Sequence, residues 1–226
     1  LFLITSISMI IQNYNKKEDL YFNNTRLDIL PLLPKYSETI LEIGCGNGAT
    51  LKHLKDYGKC KEATGIELTE YAALEAKQVI DNILIGDAEE IIKTIESNTY
   101  DLVLCLDILE HLIDPWLMIE QISRVLKKGG VIISSIPNIR TIRVISKLAL
   151  FGKFEYEEAG IMDKTHLRFF TKTSAIDLLS INRLEVDRWI HSPFADKSKS
   201  SIFNTMTFGL FRDLLTEQYI IRAVKK

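Results

Sequence analysis

The stretch Thr39-Ile40-Leu41-Glu42-Ile43-Gly44-Cys45-Gly46-Asn47-Gly48 decides the reading of this chain. A short run rich in Ile and Leu ends in glycines at three alternate positions, and an amphipathic segment begins at Ala49. That order is strand, tight turn, helix. Glycine is needed where a backbone turns sharply and a ligand must approach with no Cβ in the way. The helix start beyond it offers N–H groups without intrahelical partners. Such a turn usually holds a nucleotide-like cofactor at the top of a parallel sheet.

The glycine spacing bears on which cofactor. A dinucleotide fold prefers G-x-G-x-x-G, whereas here the pattern is G-x-G-x-G with Glu42 two residues upstream. Three further stations follow. Ala63–Glu67 reads as a second strand ending in an acid, and a carboxylate there can accept two hydrogen bonds from a ribose diol. Ile83–Ala88 reads as a third strand ending at Asp87, placed to accept from an exocyclic adenine amine. Tyr100–Asp107 reads as a fourth, fully buried strand, followed by Ile108-Leu109-Glu110-His111.

These residues resemble the class I S-adenosylmethionine-dependent methyltransferases, most strongly the bacterial small-molecule group that includes the ubiquinone-biosynthesis-type O-methyltransferases. The matching pieces are Leu41–Gly48, Leu109-Glu110-His111-Leu112, Leu126-Lys127-Lys128-Gly129-Gly130 and Thr165–Phe170. The resemblance implies a Rossmann-like, doubly wound α/β sheet of seven strands, mostly parallel with one antiparallel strand near the C-terminus. It implies S-adenosyl-L-methionine as cofactor and S-adenosyl-L-homocysteine as product. Gly44, Cys45, Gly46 and Gly48 would pack against the methionine part. Glu67 with Leu68 would hold the ribose, and Asp87 with Ala88 would address the adenine. Leu106 and Asp107 would close the site from strand four. A lead-in helix bearing Tyr21 and Arg26 would cover the methionine end, Arg26 either pairing with its carboxylate or standing exposed. The acceptor implied is a small molecule, a glycan precursor or related metabolite.

Other residues admit two readings. Glu42, inside a strand that should be buried, needs partners: either nearby backbone N–H groups or the cofactor ammonium. Asp107 either touches ligand or caps the next turn. His111 and His166 are the two candidates for a general base; His111 is equally readable as a packed histidine. Arg168 reads as structural, paired with an acid of the cover, and Phe169 and Phe170 as core. Arg140, Arg143 and Lys147 form a basic helix face that is either solvated or attracts an anionic substrate or membrane surface.

Composition sets bounds. With 226 residues the chain can build one sizeable α/β domain. A formal charge of −2 without long like-charge blocks argues against nucleic acid as main partner. Three scattered cysteines, Cys45, Cys60 and Cys105, suggest neither a disulfide framework nor a zinc site, and no metal spacing is visible. They fit a reducing, cytoplasmic setting. The apolar run Leu1–Ile11 is too short to span a bilayer and lacks signal-peptide features. We read residues 1–8 as over-extension of the reading frame before Met9, residues 1–20 as an N-terminal extension, and 21–226 as one domain. Self-association as a homodimer is compatible with this reading.

Alternating strands and helices imply a parallel sheet with helices on both faces. Asn24–Leu33 predicts a lead-in helix closed by Pro34. The helix after the glycine turn should bury Leu51, Leu54 and Tyr57 and stop at Gly58. Thr69 should cap the next, through Ala72, Ala73, Ala76 and Val79. A short helix is expected near Glu89–Ile95. Asp114-Pro115 marks another helix start, ended by Gly129, before a fifth strand at Val131–Ile136. Residues 138–170 form a cover insertion, with Ile142, Ile145, Leu148 and Ala149 at helical spacing. Thr171 caps a helix to about Ser180. Leu184–Ile190 and Gln218–Val224 read as the last strands, Asp196–Ser201 as a mobile loop and Phe203–Leu215 as a helix. Ser180–Leu184 lacks the glycine that commonly precedes strand six in the resembling family. An NAD-dependent oxidoreductase and a non-catalytic cofactor-binding module are the competing functions.

Overall fold

The computed structural model describes residues 25–192 and 204–226. Leu1–Ile11, Tyr21 and Asp196–Ser201 lie outside the described residues.

The glycine turn leaves β1 (Ser37–Ile43) and enters α1 (Ala49–Asp56). β2 (Cys60–Glu67), α2 (Glu70–Ala76), β3 (Asn82–Ile85), α3 (Ala88–Thr94), β4 (Tyr100–Leu106), α4 (Pro115–Val125) and β5 (Leu126–Pro137) continue the alternation. After β5 come α5 (Ile142–Phe151), α6 (Lys172–Leu178), β6 (Leu184–His191), α7 (Arg212–Leu215) and β7 (Gln218–Lys225). The strands form one sheet in the order β3-β2-β1-β4-β5-β7-β6. β7 runs antiparallel to both β5 and β6, and the pairs from β3 to β5 are parallel. This is the doubly wound architecture expected, with its single reversed strand.

Alternate residues of a strand face opposite sides of a sheet, and the core divides accordingly. Leu41, Ile43, Val103 and Cys105 face the side packed by α4 and α6. Ile40, Leu102, Leu104 and Ile133 face the side packed by α1. β1 lies between β2 and β4, so the chain reverses its direction of winding there. The carboxyl ends of strands at such a switch point form the crevice where open α/β sheets bind ligands.

Several local expectations are corrected. The lead-in segment is a 3-10 turn, Leu27–Leu32, rather than a full helix, because Pro31 lies within it and has no N–H to donate. Tyr57 is 70% exposed at the end of α1. Thr69 stands at the cap position of α2 without capping it and gives its hydroxyl to Glu67 instead. α4 ends at Val125 rather than Gly129, and β5 starts at once with Leu126 opposite Tyr100. The ladder then shifts register, and a Cβ on Gly130 would lie 2.8 Å from the Lys127 carbonyl and 3.2 Å from that of Tyr100. The glycines thus shape an irregular strand entry.

In α5 the inward residue is Val144, whereas Ile142 and Leu148 are about half exposed and Ala149 is exposed. The helix expected over Phe203–Leu215 is interrupted: 204–206 and Arg212–Leu215 are helical, and between them Phe208 and Gly209 take left-handed conformations that a right-handed helix cannot absorb. Arg168 makes no ion pair with a cover acid among the described residues; it donates to the Ile113 carbonyl and lies 6.0 Å from the Trp116 ring centre. Phe170 is core, while Phe169 packs edge-on to Phe154 in the cover. No helix among the described residues is long and apolar enough to cross a membrane.

Candidate active site

A cleft of about 790 Å³ opens at the carboxyl ends of β1, β2 and β4 and runs beneath the cover. Arg26, Glu42, Gly44, Cys45, Gly46, Glu67, Leu68, Asp87, Ala88, Leu106, Asp107, His111 and His166 all line it. Gly48 stands behind the wall at φ +79°, where a Cβ would meet Ile80 and Ala76 at 3.2 and 3.3 Å.

The glycine turn is held by β2. Gly44 and Cys45 both donate to the Ile66 carbonyl, at 2.9 and 3.0 Å. Gly46 donates to Glu67 Oε2 at 2.9 Å, while Glu67 Oε1 accepts from the Thr69 backbone and hydroxyl at 2.9 and 2.8 Å. Glu67 therefore ties the turn to the start of α2, and its carboxylate has further lone pairs for a diol. Asp87 caps α3 by accepting from the Glu89 N–H at 2.8 Å, which occupies one oxygen.

Glu42 is 4% exposed, and its Oε2 is buried without a partner. Burial pushes its carboxyl up to about 8; Arg26 opposes the rise and Glu67 adds to it. Backbone N–H groups do not satisfy that oxygen, so the first of its two readings fails for half of the carboxyl.

Arg26 is saturated. Nε and one terminal nitrogen clasp Asp28, at 3.1 and 2.9 Å. The remaining N–H bonds go to Asp107, Ser135 and Gln218, so all five donors have acceptors. Burial alone would lower its pKa, but Asp107 and Asp28 more than offset this and raise it. Asp107 itself sits at φ +57° just past β4 and also accepts from Ser135 at 2.9 Å and from Gln218. Burial lifts its pKa, against the pull of Arg26.

At the far end, the turn Leu109–His111 meets the cover. Leu167 and Arg168 donate to the Glu110 carbonyl at 2.8 and 3.0 Å. His111 Nδ1 lies 3.1 Å from the Thr165 carbonyl, and His166 Nδ1 lies 3.0 Å from that of Ile161. A carbonyl only accepts, so each Nδ1 carries the proton and each neutral ring has its basic lone pair on Nε2. The rings stand edge to face, 4.7 Å apart. The Glu110 carboxyl is buried 4.0 Å from His166 Nε2, and burial with Asp107 nearby holds its pKa well above the carboxylate range. Ligand-type atoms of Glu110, His111 and His166 all lie within 4.8 Å of one another, a grouping able to share a proton or a small cation.

The cleft thus gathers the expected residues, apart from Tyr21, which lies outside the described residues, and Gly48 behind its wall, and adds some that sequence reading missed. Asp28, Ser135 and Gln218 acquire meaning only through Arg26 and Asp107. Glu110 lay within a quoted motif but carried no signal until His166 was beside it. Arg143 and Lys147, read as a basic face, are tied to Glu157 at 3.3 and 3.1 Å.

The family model for a methyltransferase domain matches residues 41–134. The ubiquinone biosynthesis O-methyltransferase of Idiomarina loihiensis is 26% identical over 164 residues, which is 66% of this chain and 65% of that protein. The Hydrogenovibrio crunogenus protein of the same name is 34% identical over 101 residues, 42% of this chain and 40% of its own length. The chain therefore matches between two fifths and just under two thirds of these relatives. The crystal structure of a SAM-dependent methyltransferase from Archaeoglobus fulgidus has the same fold at 19% identity, with a TM-score of 0.63 over 97% of this chain and 99% of that one. A methyltransferase domain model thus matches the glycine turn and the strands around it, and over nearly its whole length the chain has the fold of a SAM-dependent methyltransferase structure.

Proposed function

We propose that the chain transfers a methyl group from S-adenosyl-L-methionine to an oxygen or nitrogen of a small-molecule acceptor. The observation that carries this reading is the cleft itself: a glycine cradle and an unpartnered buried Glu42 oxygen at one end, two tautomer-fixed imidazoles at the other. The cradle fits the cofactor's amino acid end. Gly44 is held at φ +73°, a conformation that favours glycine, and a Cβ there would lie 3.0 Å from the tip of the Ile108 side chain. Glu42 Oε2 offers an acceptor for an ammonium, Glu67 for a ribose and Asp87 for an adenine amine. Bound S-adenosyl-L-methionine supplies a methyl group on a sulfonium, which is an already activated leaving group.

The chain's own part is alignment and proton removal. Holding a nucleophile in line at about 3 Å supplies several kcal/mol of the barrier reduction. A hydroxyl nucleophile also needs a base, and His166 Nε2 or His111 Nε2 can take its proton. The cover, stapled to Glu110 through Leu167 and Arg168, shields this end from water.

Calorimetric titration with S-adenosyl-L-methionine and with NAD, on wild type and Glu67→Ala, tests the reading. Micromolar methyl-donor binding, weakened by the substitution and absent for NAD, is expected; well-folded protein that binds no methyl donor refutes it. Release of S-adenosyl-L-homocysteine in the presence of an acceptor separates an enzyme from a binding module.

A further inference from the structure

Among the described residues the cleft holds two guanidinium groups and no lysine, and the two groups differ in how much of each is left for a ligand. Arg26 has all five N–H bonds committed to Asp28, Asp107, Ser135 and Gln218. Arg143, in the first turn of α5, has one, from Nη1 to Glu157 Oε2 at 3.3 Å. That is long for a bond between ionised groups, which ordinarily falls at about 2.7–2.9 Å. The other four N–H donors of Arg143 have no acceptor among the described residues. Lys147 holds the second oxygen of Glu157 at 3.1 Å, and its bond is the main cause of that carboxyl's lowered pKa. Glu157 therefore stays paired when Arg143 turns away, and a half-exposed pair of this kind contributes little to stability.

There is space beside this guanidinium. Ala159, Gly160 and Ile161 form the neighbouring stretch of cleft wall. A Cβ built on Gly160 would meet nothing nearer than Arg143 Nη2, at 4.0 Å. The Ile161 carbonyl in turn accepts from His166 Nδ1 at 3.0 Å. One peptide unit links these two contacts, which puts the guanidinium within about 15 Å of the imidazole, a span that a molecule of one or two rings can bridge. The wall offers an anion little opposition. Asp163 is 5% exposed and engaged by the Thr165 N–H and hydroxyl at 2.8 and 2.6 Å. Asp107 is paired with Arg26, and burial holds the Glu110 carboxyl well above the carboxylate range, in its uncharged form.

We propose that Arg143 is a specificity-determining residue, whose guanidinium receives a carboxylate or phosphate carried by the acceptor at a distance from the atom that is methylated. This deepens the methyl-transfer reading and rests on it. On binding, Arg143 leaves Glu157 to Lys147 and meets the oxyanion with two parallel N–H bonds, a geometry that a guanidinium offers and an ammonium does not. An acceptor anchored at that end presents its other end to the imidazoles in fewer orientations.

The test uses the whole chain saturated with S-adenosyl-L-homocysteine and calorimetric titration of matched probes: 3,4-dihydroxybenzoate against catechol for a carboxylate, and glucose 6-phosphate against glucose for a phosphate. At least one anionic probe should bind about tenfold or more tightly than its neutral partner, and the gap should shrink as salt is raised. Arg143→Gln should cut that gap by about fivefold or more. Arg143→Lys should restore only part of it, and Glu157→Gln, which releases the guanidinium, should widen it. A merely structural Arg143 would weaken charged and neutral probes alike. The arm that shows the gap distinguishes carboxylate from phosphate. No gap in either arm, or a gap that survives Arg143→Gln, overturns the proposal. Failure of the wild-type chain to bind S-adenosyl-L-homocysteine overturns the methyl-transfer reading instead.

Discussion

Replacing Glu42 by Gln should make the protein less sensitive to alkaline pH. Glu42 is 4% exposed, and burial lifts its carboxyl from the ordinary 4.5 to about 8. Between those values the folded chain holds a proton that the unfolded chain has lost. Stability therefore falls as pH rises through that window, by about 1.4 kcal/mol per pH unit. Across the whole window the effect is on the order of 5 kcal/mol, and from pH 5.5 to 7.5 it is about 3 kcal/mol. Gln keeps the volume and a neutral polar head but cannot ionise. Urea unfolding of both proteins at the two pH values cancels every other titrating group in the double difference. Wild type should lose about 3 kcal/mol relative to the variant, or roughly 6 to 12 °C in Tm. A double difference below about 1 kcal/mol would mean that Glu42 is ionised or solvated at neutral pH, and the reasoning from its orphaned oxygen would fail.

The same carboxyl should couple to the cofactor: S-adenosyl-L-methionine affinity should rise severalfold from pH 6 to 8 in wild type and stay flat in Glu42→Gln, read by calorimetry. Gly65→Ala should cost about 1–3 kcal/mol or more, because its Cβ would sit 2.4 Å from Cys45 Sγ; adding Cys45→Ala should recover part of the thermal loss and of the cofactor affinity. Arg183 is held at φ +67°, beside Asn182 at +52°, so Arg183→Gly should stabilise by about 1 kcal/mol in thermal unfolding. His166→Ala should lower kcat by about 100-fold or more without changing cofactor affinity; parallel losses of both would assign His166 to cofactor binding or folding.

What could be read ahead of the structure was what local chemistry dictates. The strand, turn and helix at Thr39–Ala49 followed from glycine spacing and an apolar run, and Asp114-Pro115 located the start of α4. Errors arose where a remote partner decides. Nothing between Val125 and Gly130 announces that Leu126 pairs with Tyr100; that pairing, made across the sheet, ends the helix early. Phe208 carries no left-handed preference of its own, yet its conformation breaks the helix expected there. Pro31 is the exception, a local signal that by itself opposes a full helix across Asn24–Leu33. The absent glycine before β6 is the converse case: the turn kept its left-handed geometry, and Asn182 and Arg183 bear the strain.

The candidate site divides in the same way, and the division says why one half of the chemistry is more legible than the other. The cofactor end is built from consecutive residues whose types are dictated by backbone needs: a glycine where a Cβ would meet Ile108, and an acid at the end of β2. The acceptor end is built from side chains that are unremarkable until folded together. Glu110 is an ordinary motif acid until the cover delivers His166 to within 4.0 Å of it. Arg26 reads as a free cation until Asp28, Asp107, Ser135 and Gln218 use all five of its donors. Charge counted along the chain therefore misjudges charge available to a ligand. The balance of −2 says nothing about a pocket whose Arg26 is spent and whose Glu42, Glu67, Glu110 and Asp163 are buried.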